Sequence, residues 1–515
     1  MLNDTMASNN SGHGVSVEYL RSGVYIHKSS LTDNIYGSGL NVRQGAGDVN
    51  ITYSTISGNV GDGVNVTYEG GVQNITWSRI SDNKLRGVAF WFNETGQETK
   101  IRQETGVAYS DIARNVETGL LVGNFCREAF INITSNRFYD GMQAAVEVGS
   151  CWNTTERQRI TFITNNRFER NNRLAIKVMP AVNMNLTIEW NEFYDNKLGT
   201  LLVRNEDFPE LDLLPLVGRI AENFFLRNTG RYVMLLKLTT PGIYQSLLVT
   251  HNTFQLNHVQ EPYKSLSSRS HAAGVICLGS NNVNIYRNLL ENPDSLYELS
   301  SHSFDQSKHI NATHNWLGDK VESSLFDRIL DRRDRYNLAL ISFHPFLLSD
   351  NNVETPVVST DQMSEPNFFD PNDRQIIGGE VNGNIMLTEK HYTVKRDIYV
   401  HNTGILSISF GTTLEFEESI GVMVAGLIRM EGSKNKEVRF TLSGTLATEY
   451  QRKLEESLAA EQANGIVDET TIKELNAEEL TERTLNMTDL APDLRVKLVG
   501  GRDAMEGRLM VSVKQ

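Results

Sequence analysis

Side chains whose type and spacing could carry chemistry are sparse in this sequence of 515 residues. Asparagines head N-x-Ser/Thr triplets at Asn3, Asn9, Asn50, Asn65, Asn74, Asn93, Asn132, Asn153, Asn185, Asn311 and Asn486, each an acceptor for an N-linked glycan in a secretory compartment. The cysteines are Cys126, Cys151 and Cys277, and no Cys/His spacing suits zinc. Glu147 and Lys177 come nearest to an acid–base pair. Glycoside or uronate chemistry needs paired carboxylates, or a calcium-binding acidic cluster beside a basic residue. Whether Glu147 has such company depends on the elements that carry it.

Those elements repeat. The stretch Val49 to Val66 returns along the chain, and aligning its copies gives the column Ser29, Ser54, Ser78, Ser110, Asn136, Asn166, Asn191, Asn223, Asn252, Asn288 and Asn315. Two places later stands an apolar column: Leu31, Ile56, Ile80, Ile112, Phe138, Phe168, Phe193, Phe225, Phe254, Leu290 and Leu317. Ten places after the first column come alternating pairs, among them Val64/Val66, Val88/Phe90, Val146/Val148 and Ile176/Val178. Short period-2 strands, Asn and Gly at the turns and no helical period predict an all-β fold, a right-handed parallel β-helix solenoid. Coils stacked at the strand spacing of roughly 4.8 Å would form a rod on the order of 50 Å long. Asn136, Asn166, Asn191, Asn223, Asn252, Asn288 and Asn315 are then a structural ladder, each amide bonding the coils above and below. Long steps around Asn93 to Thr105 and Glu206 to Leu214 must leave the coil as loops, where a contact surface could be built.

This phasing tests the chemistry. One outward column reads Asn41, Asn65, Ala89, Leu121, Glu147, Lys177, Leu202; another reads Thr52, Thr76, Ala108, Thr134, Thr164, Glu189, Ala221, Thr250. Neither gathers a catalytic cluster, and Glu147 beside Lys177 reads as an ion pair between coils. No catalytic, cofactor-binding or metal-ligating residue is therefore predicted. Cys126 and Cys151 each follow the same strand of adjacent coils, which predicts a disulfide and an oxidising compartment. Cys277 takes the place of an inward Val and reads as a buried free thiol. Asn50, Asn74, Asn132 and Asn311 each lie four residues before the Ser/Asn column, so one face would carry glycans. Asn65, Asn93, Asn153 and Asn185 are further glycosylation candidates.

A formal charge of −14 without clustered Lys and Arg argues against a nucleic-acid partner. No apolar run approaches the length of a membrane span, and the first residues lack a signal-peptide pattern. Met1 falls inside a strand of the repeat, which predicts further coils upstream. The β-helix is expected over residues 1–320, then a C-terminal plug and linker over 321–375, with a charged helical turn from Phe326. The opening coils of a second β-helix array follow over 376–444. Residues 445–494, with twelve acidic against four basic side chains, read as an acidic helical linker.

Residues 495–515, with the strand Val496 to Val499, Gly500-Gly501 and Glu506-Gly507-Arg508 leading into Leu509 to Val511, resemble the start of a scavenger receptor cysteine-rich domain. That order of β-helix, glycan sequons, plug, second array and receptor domain resembles the bark beetle family. The resemblance implies an extracellular segment of a large single-pass membrane protein at tricellular septate junctions of invertebrate epithelia, required for barrier integrity. Its partners would be other junction proteins or copies of itself on neighbouring cells, with the membrane anchor outside this chain. The rival readings are a carbohydrate-active β-helix enzyme (polysaccharide lyase, hydrolase or epimerase) and a ligand-binding scavenger receptor.

Overall fold

The computed structural model describes residues 1–18, 22–45, 47–92, 103–123, 129–149, 159–179, 184–204, 216–238, 246–259, 274–280, 283–303, 307–350, 367–417, 420–430, 436–442 and 509–510. The chain divides into two units, one of Met1–Pro262, Ala272–Leu330 and Ala339–Met363, the other of Tyr263–His271, Asp331–Leu338 and Ser364–Gln515.

The first unit is a parallel β-helix. The first eleven coils each contribute one strand to each of three parallel sheets, and the last coils extend only two of them, giving thirteen, eleven and twelve strands. The first sheet runs from Leu2–Asn3 to Leu340–Ser342, the second from Met6–Ser8 to Leu289–Glu291 and the third from Val15–Glu18 to Ile329–Leu330. The repeat dictates this because each coil offers an inward apolar residue at the same phase. Phe138, Phe168, Phe193, Phe225 and Phe254 are register partners on the second sheet. Their rings stack face to face with centroids 5.0, 5.0, 4.5 and 4.4 Å apart.

Between the first and second sheets the chain turns on one residue with positive φ, followed by the Ser/Asn column. Each Asn there donates its Nδ2 to the next Oδ1, at 3.0 Å for Asn136, Asn166 and Asn191 and 2.9 Å for Asn223, Asn252 and Asn288. In the earlier coils a serine Oγ takes the same backbone N–H, as when Ser54 donates its amide to Ser78 Oγ at 3.1 Å. Five residues on, or four in the last case, past the second sheet, lies a second ladder: Asn34, Asn59, Asn83 and Asn115, then Asn171, Asn196, Asn228, Asn257 and Asn292, with Gly141 between the two runs. It ends on the buried Glu298, which accepts from Asn292 Nδ2 at 2.7 Å and pairs with Arg328 at 2.7 Å. Burial pushes the Glu298 carboxyl upward, against the pull of Arg328.

The residue before each of these ladder positions up to Asn257 also takes positive φ, and in consecutive coils from Asp82 it alternates in charge: Asp82, Arg114, Asp140, Arg170, Asp195, Arg227. The paired coils are joined by guanidinium–carboxylate bonds of 2.6 Å (Arg114–Asp82), 2.8 Å (Arg170–Asp140) and 2.9 Å (Arg227–Asp195).

The sheet ladders run past residue 320. The helix there is Glu322–Phe326, not a turn beginning at Phe326. Ile329 and Leu330 instead pair with Leu299 and Ser300 and are almost fully buried, so strand pairing overrides the local charge pattern. Phe343, Phe346 and Leu347 close the end of the core as buried side chains.

The second unit contains parallel sheets built on the ten-residue strand His391–Val400. Its first half pairs with Thr413–Phe416 and its second half with Val422–Val424. Asn384–Leu387, Ile405–Ile408 and Leu427–Met430 form a companion sheet. The helix expected over 445–494 lies outside the described residues. So does the receptor-domain start over 495–515, apart from Leu509–Met510, which pairs with Val422 and Met423.

In this unit the carboxyls of Asp334 and Asp397 are held well above the ordinary carboxylate range. Burial and the neighbouring Asp331 charge push Asp334 up to about 7, against Arg396 and Arg333. Burial pushes Asp397 up to about 6, although its carboxylate accepts from the Gly421 amide at 2.6 Å and lies near Arg335. An acid with a raised folded pKa costs no stability below its unfolded value and costs progressively more as pH rises through the folded value. Thermal stability should therefore fall from pH 5 to pH 8, with these two groups contributing on the order of 3 kcal/mol. The combined Asp334→Asn, Asp397→Asn variant should flatten that dependence.

Candidate functional site

The outward columns stand in register as the sequence phases them. Thr52, Thr76, Ala108, Thr134, Thr164, Glu189, Ala221 and Thr250 are successive partners on the first sheet. Asn41, Asn65, Ala89, Leu121, Glu147, Lys177 and Leu202 follow one another on the third. Lys177 Nζ meets Glu147 Oε1 at 2.7 Å, and Arg219 Nε meets Glu189 Oε1 at 3.2 Å. Each carboxylate thus faces a base one coil away. Among the described residues no group of three or more His, Cys, Asp or Glu is placed to hold a metal ion. Replacing Glu147 by Gln and Lys177 by Met together should change stability by no more than about 1 kcal/mol, read as a denaturation midpoint, because a partly exposed pair gains little over water.

The sequons Asn50, Asn74, Asn132 and Asn311 share one outward column of the first sheet, linked through Gly106, Phe162, Thr187, Arg219, Leu248 and Asn284. At Gly106 a Cβ would come within 2.9 Å of Asn74 Oδ1, so glycine there leaves room for that amide. Asn185 also faces outward on this sheet, one position pair earlier. Asn65 does not join this face: it lies on the third sheet, where its Nδ2 donates to Asn41 Oδ1 at 3.1 Å. Asn93, Asn153 and both cysteines of the expected Cys126–Cys151 bridge lie outside the described residues.

Cys277 is free and fully buried, but its phase differs from the expected one. It is the register partner of Leu235 and Ser300, in the outward column, and not of the inward Val. The strand Gly274–Leu278 is buried along both faces. Ser300 donates its hydroxyl to the sulfur at 3.2 Å, and burial pushes the thiol up to about 11. A thiol so protonated is inert as a nucleophile.

One concave surface among the described residues was not anticipated. The positive-φ residues between the first and second sheets are aromatic in consecutive coils: Tyr53 (φ 51°), Trp77 (φ 52°) and Tyr109 (φ 50°). Bulky side chains are uncommon in that conformation. Here the rings stand half-exposed and stack nearly parallel, Tyr53 on Trp77 at 6.2 Å and Trp77 on Tyr109 at 4.5 Å. The next two coils carry Ser135 and Asn165 at the same φ, and Trp190 restores the aromatic. Beside this column runs a groove of about 540 Å³ lined also by Arg79, Asp111, Arg137 and Arg167.

Arg137 meets Glu169 at 2.7 Å and lies over the Tyr139 ring; Arg167 also bonds Glu169 and lies over Tyr194. Burial works to raise the Glu169 carboxyl, but the two guanidinium groups outweigh it and hold it below the usual range. The signal was present in the sequence, since each ring immediately precedes a member of the Ser column.

No family model matches the chain. A solved structure described as a new PL6 alginate lyase complex with trisaccharide aligns over 84% of this chain and 81% of its own, at 9% identity and a TM-score of 0.16, a likeness that carries no argument. The protein bark beetle of Drosophila melanogaster is 38% identical over 540 residues, an alignment that covers all of this chain. From end to end, then, this is a bark beetle-like sequence, spanning 17% of that relative's length.

Proposed function

We propose that this chain is a non-enzymatic extracellular segment of a membrane-anchored cell-junction protein. In this reading it serves as a glycosylated spacer and contact surface at the extracellular face of epithelial tricellular septate junctions, and barrier integrity depends on it. The observation that carries the proposal is the end-to-end likeness to bark beetle. It is supported by outward columns whose carboxylates face bases in the next coil, an arrangement suited to holding coils together and not to proton transfer on a substrate. Among the described residues no helix is long and apolar enough to cross a membrane, so the anchor would lie elsewhere in the protein. Partners would be other junction proteins or further copies of the same protein on adjoining cells.

The test is to replace the endogenous gene by a tagged version lacking residues 1–350 and to follow junctional recruitment and dye exclusion. Recruitment and barrier function should both fail, whereas the Glu147→Gln, Lys177→Met version should behave as wild type. Normal barrier function without residues 1–350 would refute the proposal. Turnover of a uronate polysaccharide by the purified protein, lost in the double replacement, would establish the enzyme reading instead.

A further inference from the structure

The aromatic column stops where a ring face becomes available. Tyr53, Trp77 and Tyr109 stack along the coil axis with interplanar angles of 5° and 7°, so Trp77 has a parallel ring on each side, that of Tyr53 offset. Tyr109 is covered only by Trp77, because the next coil presents the short Ser135 and the one after it Asn165. Trp190, 57% exposed, stands three coils beyond Tyr109, roughly 14 Å away at the strand spacing. Between them lies a floor of small polar side chains, with Asp111, Arg137 and Arg167 along the groove wall.

A guest here must offer a flat apolar face to Tyr109 and a rim of hydrogen-bonding groups to the wall. An aromatic side chain from a partner would satisfy the first requirement and leave the surrounding donors and acceptors without partners, which is costly on desolvation. A pyranose ring satisfies both, with C–H groups on its face and hydroxyls around its edge. The wall holds guanidinium donors at Arg137 and Arg167, an acceptor at Asp111 and an amide that does both at Asn165. Its positive charge is largely matched, since Glu169 pairs with both arginines and Glu192 lies 3.4 Å from Arg167. That balance favours an uncharged ligand.

We propose that this groove binds a neutral, linear pyranose oligosaccharide, one sugar stacking on Tyr109 above Ser135 and its hydroxyls bonding Asp111, Arg137, Asn165 and Arg167. The site does not depend on the junction reading and would serve any extracellular role. The full chain, before and after glycosidase treatment so that sugars on its own Asn74 and Asn132 cannot fill the groove unnoticed, is applied to an array of immobilised neutral and acidic oligosaccharides. The strongest neutral binder is then titrated calorimetrically.

Retention of neutral oligosaccharides is expected, with at least a tenfold loss of affinity in Tyr109→Ala. Ser135→Tyr is the sharper variant, because it continues the ring stack at a φ that tyrosine already adopts in neighbouring coils. It should keep or raise the thermal midpoint while abolishing binding. No retained saccharide, retention of acidic saccharides alone with loss at high salt, or unchanged binding in Ser135→Tyr would each overturn the assignment.

Discussion

Replacing Phe193 by alanine should lower stability by about 5 kcal/mol, measured as a shift in chemical denaturation followed by circular dichroism. The side chain is fully buried, and its ring lies 5.0 Å from Phe168 and 4.5 Å from Phe225 with interplanar angles of 7° and 5°. Truncating a buried phenylalanine costs about 3 to 5 kcal/mol in lost transfer energy and cavity. Each stacked pair adds roughly 0.5 to 1.5 kcal/mol beyond burial, which places Phe193, stacked on both sides, at the upper end. Phe193→Leu should cost far less, on the order of 1 to 2 kcal/mol, because Leu31 and Leu290 hold the same column in other coils. A change within about 0.5 kcal/mol for the alanine variant would place the ring outside the core.

The second large effect belongs to Asn223. Its Oδ1 accepts from the Asn191 amide at 2.9 Å and from Asn191 Nδ2 at 3.0 Å, while its own Nδ2 donates to Ile188 O at 2.8 Å and Asn252 Oδ1 at 2.9 Å. Alanine would strand polar groups above and below in a buried site, each costing roughly 1 to 3 kcal/mol. With partial relaxation, Asn223→Ala should destabilise by about 3 to 6 kcal/mol. Serine should recover part of this, since Ser54, Ser78 and Ser110 already accept the neighbouring amide at this position in the earlier coils. Equal losses for alanine and serine would show that the bond to the Asn191 amide contributes nothing.

Columns separated by two places, such as Asn191 and Phe193, were legible in the sequence because one strand period fixes which is turn and which is core. The second asparagine ladder was equally present, five residues after the first in Asn166/Asn171, Asn191/Asn196, Asn223/Asn228 and Asn252/Asn257. It escaped notice because the alignment was anchored on a single turn. Cys277 took the wrong phase because the strand before it follows a long insertion, and period 2 cannot be carried across a loop of unknown path. Phe326 to Asp331 looked helical from its charges, yet Ile329 and Leu330 gain more from pairing with Leu299 and Ser300. The groove was missed for a different reason: aromatic residues in left-handed turns contradict local preference, and such conflicts mark function more readily than fold.

The alternating column Asp82, Arg114, Asp140, Arg170, Asp195, Arg227 acts as a parity check on coil order. Local strand pairing barely distinguishes one coil from the next, because every coil offers the same apolar phase to its neighbours. The charges distinguish odd displacements from even ones. A chain that docks one coil out of place sets arginine against arginine or aspartate against aspartate, and like charges directly opposite destabilise a strand pair. A slip of two coils restores opposite signs. The same arithmetic applies to the gene: loss of any one interior coil of this column brings two like charges together, whereas loss of an adjacent pair leaves the sequence of signs intact.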